Sequence, residues 1–319
     1  MFTEADFGDV VTKIVTAFSV FVSCPFYIIV IVVLHKNRKK EPFNSPFFTL
    51  YRTLGIVDVM VYHLFNIGKL TYWKIELSIL QPYNQPNTIM QVVIFINWWL
   101  AYMQFQLTIL CCLNRFTAIV WTASYGQYWT NRVTKLLLCT IAFISLCLSI
   151  PILFIDITVA RFTTIVNGVT RLWTVGPTFK QVAVGQIYLL SWKIHVYAII
   201  IICTVCYAIM FIKIRAIRTS SKTSVVRREI RLLYPMTVLY MCNFLYVVFF
   251  MIHDYWVATP HTHSRDSEWI ILVASDAYDL SNGYVIMLTS AEVRNAVLQF
   301  LRVRPKITNV VSISSINTL

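Results

Sequence analysis

Residues 89–120 read IMQVVIFINWWLAYMQFQLTILCCLNRFTAIV, from Ile89 to Val120. The stretch is apolar enough to cross a bilayer, yet it carries Asn97, Gln104, Gln106 and Thr108 and ends in Leu113-Asn114-Arg115-Phe116. Thr108, Gln104 and Asn97 precede Arg115 by 7, 11 and 18 residues, close to two, three and five turns at about 3.6 residues per turn. One face of one helix therefore carries polar groups along its length, down to a terminal arginine at the expected water boundary. Polar groups in hydrocarbon are costly and turn toward a bundle interior. This stretch is predicted to be the central helix of a membrane bundle.

Composition agrees. The chain has 319 residues, 58% of them hydrophobic and 13% charged, where a soluble domain carries roughly 25% charged residues. Seven apolar stretches, near 12–34, 46–68, 89–113, 134–156, 187–212, 232–253 and 268–289, are each long enough for a hydrocarbon core of about 30 Å. No internal repeat interrupts them. The fold class is an all-α membrane protein, a seven-transmembrane helix bundle, followed by a short amphipathic eighth helix in AEVRNAVLQFLRVRP (Ala291–Pro305). Residues 1–302 are expected to form one domain, and 303–319 a flexible cytoplasmic tail.

The net charge of +13 is placed for topology rather than for nucleic acid. Eighteen basic residues follow the first, third, fifth and seventh stretches, against eight on the other side. The positive-inside rule then puts the N-terminus outside and the tail in the cytoplasm. The first ten residues hold Glu4, Asp6 and Asp9 and no basic residue, so a cleavable signal peptide is not expected.

The outer segment between the fourth and fifth stretches contains TTIVNGVTRLW (Thr163–Trp173). β-Branched residues on both sides of Asn167-Gly168 predict a hairpin with a two-residue turn, lying as a lid over the outer mouth. All eight cysteines fall inside apolar stretches, which leaves the outer loops without a disulfide even on an oxidising side. Cys203-x-x-Cys206 sits mid-helix and reads as packing. His261 and His263 make an H-x-H pair, and two ligands do not make a metal site. With no phosphate loop and no nucleophile elbow in the sequence, an enzyme is not expected, nor a metal or cofactor.

Asp58 in the second stretch and Asp276, Asp279 and Asn282 in the seventh are intramembrane polar groups, which mark functional sites. Asn97 and Trp98, Asp276, and Tyr246, Phe250 and His253 fall in the outer parts of three stretches. They are predicted to line one pocket for a small, largely apolar molecule, with Asp276 as its polar contact. Asp58, Asp279 and Asn282 are assigned to a mid-membrane polar switch cluster, able to hold water or a sodium ion near Asp58.

Seven helices, an outer N-terminus, the Asn114-Arg115-Phe116 ending and Asp58 resemble the G-protein-coupled receptors. The rhodopsin-like family ends its third helix in Asp/Glu-Arg-Tyr, and its arginine falls on Arg115. Of its Asn-Pro-x-x-Tyr, only Asn282 survives here. Asn114 replaces the acid, and Met90 stands about where the family's outer cysteine would be. NRFTAIVWTASYGQYW (Asn114–Trp129) and MLTSAEVR (Met287–Arg294) are similar to the nematode serpentine chemoreceptors of class gamma and class V, the Srg superfamily. That resemblance implies a plasma-membrane, multi-pass receptor of a sensory cilium, binding a small extracellular odorant or pheromone and activating a heterotrimeric G protein. Arg115 and Asn114, with Arg227 and Arg228 in the basic loop before the sixth stretch, are then the expected coupling residues. With no carboxylate beside Arg115, basal activity is expected to exceed that of relatives with an acid there. A ligand-gated cation channel of the odorant-receptor kind is the alternative, but it places its N-terminus inside. A small transporter would show paired repeats with broken helices.

Overall fold

The computed structural model describes residues 4–69, 84–166, 169–220, 224–258 and 268–303. The Asn167-Gly168 pair, His261, His263 and the tail from 304 lie outside these. The described residues form helices and one hairpin, joined by short turns. Helix α1 (Glu4–Phe18) passes through a π turn (Ser19–Ser23) into α2 (Cys24–Lys36). Pro25 explains the wide turn: its ring crowds the carbonyl four residues back, and a π turn gives that carbonyl room. Helix α3 (Pro46–Lys69) opens on a proline whose missing N–H has no helical partner to lose.

Helix α4 (Thr88–Val120) begins where the Asn87 side chain accepts a hydrogen bond from Met90 N at 3.0 Å. A short turn, α5 (Tyr125–Tyr128), leads to α6 (Asn131–Ser149), capped by Thr130. The fourth stretch, placed at 134–156, ends near its proline: ahead of Pro151 the α geometry stops at Ser149, and a 3-10 turn (Ile150–Phe154) follows.

Strands β1 (Ile157–Val166) and β2 (Val169–Phe179) pair antiparallel, with Val166 opposite Val169. The expected hairpin is therefore present, with ten and eleven residues in its arms and a bulge at Phe162/Thr163. Its base is tied to the segment before α4. Asn84 N donates to Val159 O at 2.8 Å, Asn87 N donates to Ile157 O at 3.0 Å, and Pro86 bridges Thr158. Met90 packs there in a small apolar cluster with Ile157 and Val159. The hairpin touches α3, α4 and α7, so it lies across their ends.

Helix α7 (Val182–Ser220) and α8 (Ser224–Ala258) overrun the expected spans, so the basic segment between them is largely helical. The sixth stretch, placed at 232–253, lies in a helix that starts at Ser224 and runs through Pro235, which neighbouring helices make tolerable in a membrane bundle. Helix α9 (Glu268–Thr289) is followed by α10 (Ala291–Phe300), whose start Ser290 caps by accepting from Val293 N at 3.3 Å. Val293 and Val297 are fully buried and Arg294 is exposed, giving α10 the expected two faces.

Among the described residues, four segments are long and apolar enough to cross a membrane: Val10–Lys36, Thr88–Val120, Asn131–Phe154 and Val182–Ala216. Helices α3 and α9 fall short of that measure and carry the buried acids Asp58, Asp276 and Asp279. Helix α4 packs against α3, α6, α7 and α8, the central place its polar stripe predicts. Its polar side chains are shared out among those neighbours. Gln91 Nε2 donates to Leu153 O at 2.9 Å and Ile155 O at 3.0 Å, and Trp99 Nε1 to Ala142 O at 3.0 Å. Gln106 Oε1 accepts from Ser145 Oγ at 3.1 Å.

Tyr27 is gripped by two glycines. A Cβ on Gly283 would come within 2.7 Å of the Tyr27 ring, and one on Gly55 within 3.0 Å of its hydroxyl. Tyr27 is buried and cannot swing aside. Gly283→Ala is therefore expected to cost about 1–3 kcal/mol through overpacking and to lower the thermal midpoint of the purified protein. Gly126→Ala, with nothing within 4 Å of its added carbon, should leave that midpoint unlowered.

Candidate functional site

The bundle buries a carboxylate at its centre. Asp58 on α3 is fully buried, and donors from three other helical segments converge on it. Tyr27 Oη (α2) donates to Oδ2 at 2.8 Å, Asn282 Nδ2 (α9) donates to Oδ2 at 2.6 Å, and Gln104 Nε2 (α4) donates to Oδ1 at 2.7 Å. Gln104 Nε2 also reaches Asp279 Oδ1 at 3.0 Å. Tyr51 Oη adds a bond to the Asn282 carbonyl at 2.6 Å. The three groups assigned to a polar cluster, Asp58, Asp279 and Asn282, are thus brought together, with Gln104 and Tyr27 as the members that complete it. Gln104 was visible in the sequence as part of the polar stripe. Tyr27 gave no signal, because a tyrosine in an apolar helix is unremarkable.

This arrangement bears on the sodium ion expected near Asp58. A cation needs oxygens turned toward it, whereas the groups around Asp58 present two amide N–H donors and a hydroxyl donor. Both Asp58 oxygens are taken up by these donors. Among the described residues there is also no group of three or more His, Cys, Asp or Glu able to hold a metal ion.

Above the cluster, toward the hairpin, lies a cavity of about 180 Å³. Its wall includes Asn97, Trp98, Tyr246 and Phe250, four of the residues expected to form a pocket. His253 falls in α8, but its side chain lies outside what the structure describes, as do those of Arg227 and Arg228. Asp276 is buried on α9 but is not part of this lining. The acid that lines the cavity is Asp279, one turn further along α9, together with Gln104. Residues three apart on a helix share a face only approximately, and spacing alone could not decide which acid faces inward. Asp279 and Gln104 therefore belong to both the cavity wall and the buried cluster.

Trp192 of α7 and Tyr278 of α9 complete the wall. The Trp98 and Trp192 rings meet edge-on at 5.4 Å, Trp192 and Phe250 at 5.1 Å, and Tyr246 stacks on Tyr278 at 4.9 Å. Such contacts fix ring positions and add about 0.5–1.5 kcal/mol per pair. The walls are rigid and aromatic.

At the other end of α4, Arg115 is buried, at 2% exposure, rather than at a water boundary. Its guanidinium lies 4.4 Å from the Phe47 ring centre and donates to Asn114 Oδ1, from Nε at 3.1 Å and from Nη2 at 2.5 Å. Asn114 Nδ2 donates in turn to Tyr125 Oη at 3.1 Å. The raised basal activity is expected because no acid stands beside Arg115 in the sequence, and the partners at that place are of other kinds. An amide, an aromatic face and a tyrosine hydroxyl hold it where an acid is missing. Trp129 Nε1 donates to Thr117 Oγ1 at 2.6 Å, so the segment Asn114–Trp129 folds back on the end of α4 as one closed unit.

Removing a single donor tests the cluster. Tyr27→Phe keeps the ring between its glycines and deletes one hydrogen bond to a buried carboxylate, worth about 1.5–3 kcal/mol. A thermal midpoint several degrees lower in lipid nanodiscs is the expected result, and an unchanged midpoint would show that the bond carries little.

Comparison with known proteins agrees with this architecture. Residues 17–303 match the model of the family described as "Serpentine type 7TM GPCR chemoreceptor Srv". Serpentine receptor class V-1 of Caenorhabditis elegans is 29% identical over 143 residues, which span 42% of this chain and 42% of that protein. Of the two classes that the Asn114–Trp129 and Met287–Arg294 segments resemble, class V is the one matched. On a match covering nearly the whole bundle, the chain belongs to the serpentine class V family of seven-transmembrane, G-protein-coupled chemoreceptors.

Proposed function

We propose that this chain is a chemosensory receptor that binds a small extracellular molecule in the cavity beneath the hairpin and activates a heterotrimeric G protein. In this reading all seven long helical segments cross the plasma membrane of a sensory cell, in its cilium, with the N-terminus outside and α10 on the inner surface. The observation that carries it is the continuity of α4. One helix supplies Asn97 and Trp98 to the cavity, Gln104 to the acids Asp58 and Asp279, and Arg115 to the opposite end. A ligand that shifts Gln104 alters hydrogen bonds to two other helices, which supports a route from cavity to cytoplasmic end. A ligand can bias an equilibrium only by its differential contacts with the two states, and residues shared between cavity and cluster supply such contacts.

Arg115 is the proposed coupling residue, with Asn114 and Tyr125 as the groups that hold it, and Arg227 and Arg228 as basic contacts to the G protein. In the described conformation Phe47 and Tyr125 cover the guanidinium, so coupling requires them to move. Arg115→Ala should reach the cell surface at wild-type levels and lose the calcium or cyclic-nucleotide response to any agonist found by screening small secreted metabolites. A full response would sink the assignment. An epitope fused at the N-terminus should stain intact cells. Staining only after permeabilisation would reverse the topology and favour the channel reading.

A further inference from the structure

The cavity wall is chemically one-sided. Among its described residues Asp279 is the only carboxylate, and there is no Lys, Arg or His. Lys193 Nζ sits 6.0 Å from the Phe250 ring centre, but Lys193 is not part of the lining. Two other wall residues carry buried polar atoms with no hydrogen-bond partner: Asn97 Oδ1 and Trp192 Nε1. Trp192 is more than nine-tenths buried. A buried polar atom left unpaired costs about 1–3 kcal/mol, so a molecule that meets these atoms recovers that penalty on binding. Asn97 Oδ1 accepts only, Tyr278 Oη can accept, and the Asp279 carboxylate accepts. Against these acceptors the wall has one unpaired atom that only donates, Trp192 Nε1. Its aromatic rings have negative faces that attract a cation within about 6 Å of the ring centre.

Resting on the reading of this cavity as the ligand site, we propose that the receptor's ligand is a small organic cation. An amine fits, its ammonium group held by Asp279 and Asn97 Oδ1 and its carbon body packed among Trp98, Trp192 and Tyr246. A neutral alcohol of the same shape would satisfy the acceptors singly but would gain neither the carboxylate's charge nor the cation–π attraction. The volume of about 180 Å³ limits the body to roughly one ring or a short branched chain. Gln104 Nε2 is shared between Asp279 and Asp58. An ammonium that takes up Asp279 frees this N–H for Asp58 alone, which gives the cation a direct effect on the cluster.

The test uses the full chain in lipid nanodiscs and its own tryptophan fluorescence, since Trp98 and Trp192 line the cavity. Benzylamine and phenethylamine are titrated beside their neutral counterparts, benzyl alcohol and 2-phenylethanol. At least one amine should change the emission saturably, with half-saturation at least tenfold below that of its matched alcohol. In Asp279→Asn that ratio should fall to about one. This comparison within the wild type stands even if the variant is poorly made. If the alcohols bind as tightly as the amines in the wild type, or if the ratio survives in a well-folded Asp279→Asn, the cation assignment is overturned while the cavity remains a ligand site. If no compound of either series gives a saturable change up to its solubility limit, the ligand-site reading falls as well.

Discussion

An ionisable carboxyl group in the middle of a membrane bundle is stable only if its surroundings supply hydrogen bonds at close range. Asp58 meets that condition through Tyr27, Gln104 and Asn282, at 2.6–2.8 Å. Each donor comes from a different helical segment, so the requirement of one side chain fixes the relative positions of α2, α3, α4 and α9. The packing around it follows. Tyr27 can reach Asp58 only because Gly55 and Gly283 leave room for its ring, and Tyr51 reinforces the same junction by bonding the Asn282 carbonyl. Hydrocarbon offers no hydrophobic drive between helices, so close backbone approach and interhelical hydrogen bonds do the holding. Both are concentrated at this one point.

Helix α4 extends that order over the length of the bundle. It is 33 residues long, and several of its polar side chains are committed to different neighbours. Gln91 ties it to the 3-10 turn, Trp99 and Gln106 to α6, Gln104 to α3 and α9. Asn114 and Arg115 meet α5 and α3. Commitments on several sides restrict both rotation and sliding. Motion of α4 as a body must therefore be met by rearrangement at several contacts at once, which is how a small change at one site becomes a discrete change of state.

Much of this was legible in the sequence, for definable reasons. Acids and amides inside apolar stretches stand out because the bilayer penalises them, and Asp58, Asp279 and Asn282 did prove to be neighbours. An Asn-Gly pair between β-branched runs has few uses besides a hairpin turn, and the hairpin is there. What stayed hidden depends on rotation about helix axes and on partners distant in sequence. Asp276 and Asp279 are one turn apart, and only the packed bundle shows which of them lines the cavity. Tyr27, Phe47 and Tyr125 are ordinary aromatic residues until they are placed against Asp58 and Arg115. Arg115 looked like an interfacial charge because it follows an apolar stretch, yet the chain beyond it folds back and covers it.

The hairpin is attached without sulfur chemistry. The Met90 side chain packs against Ile157 and Val159 beside the main-chain bonds from Asn84 and Asn87. All eight cysteines are free thiols elsewhere in the bundle. A methionine seated in an apolar cluster contributes about 1.5–3 kcal/mol, enough to hold a hairpin in place but small enough for thermal motion to undo and restore. The joint is therefore reversible and indifferent to redox potential. Reducing buffers that would strip a covalent clip leave this one intact, because main-chain hydrogen bonds and apolar contacts make the joint.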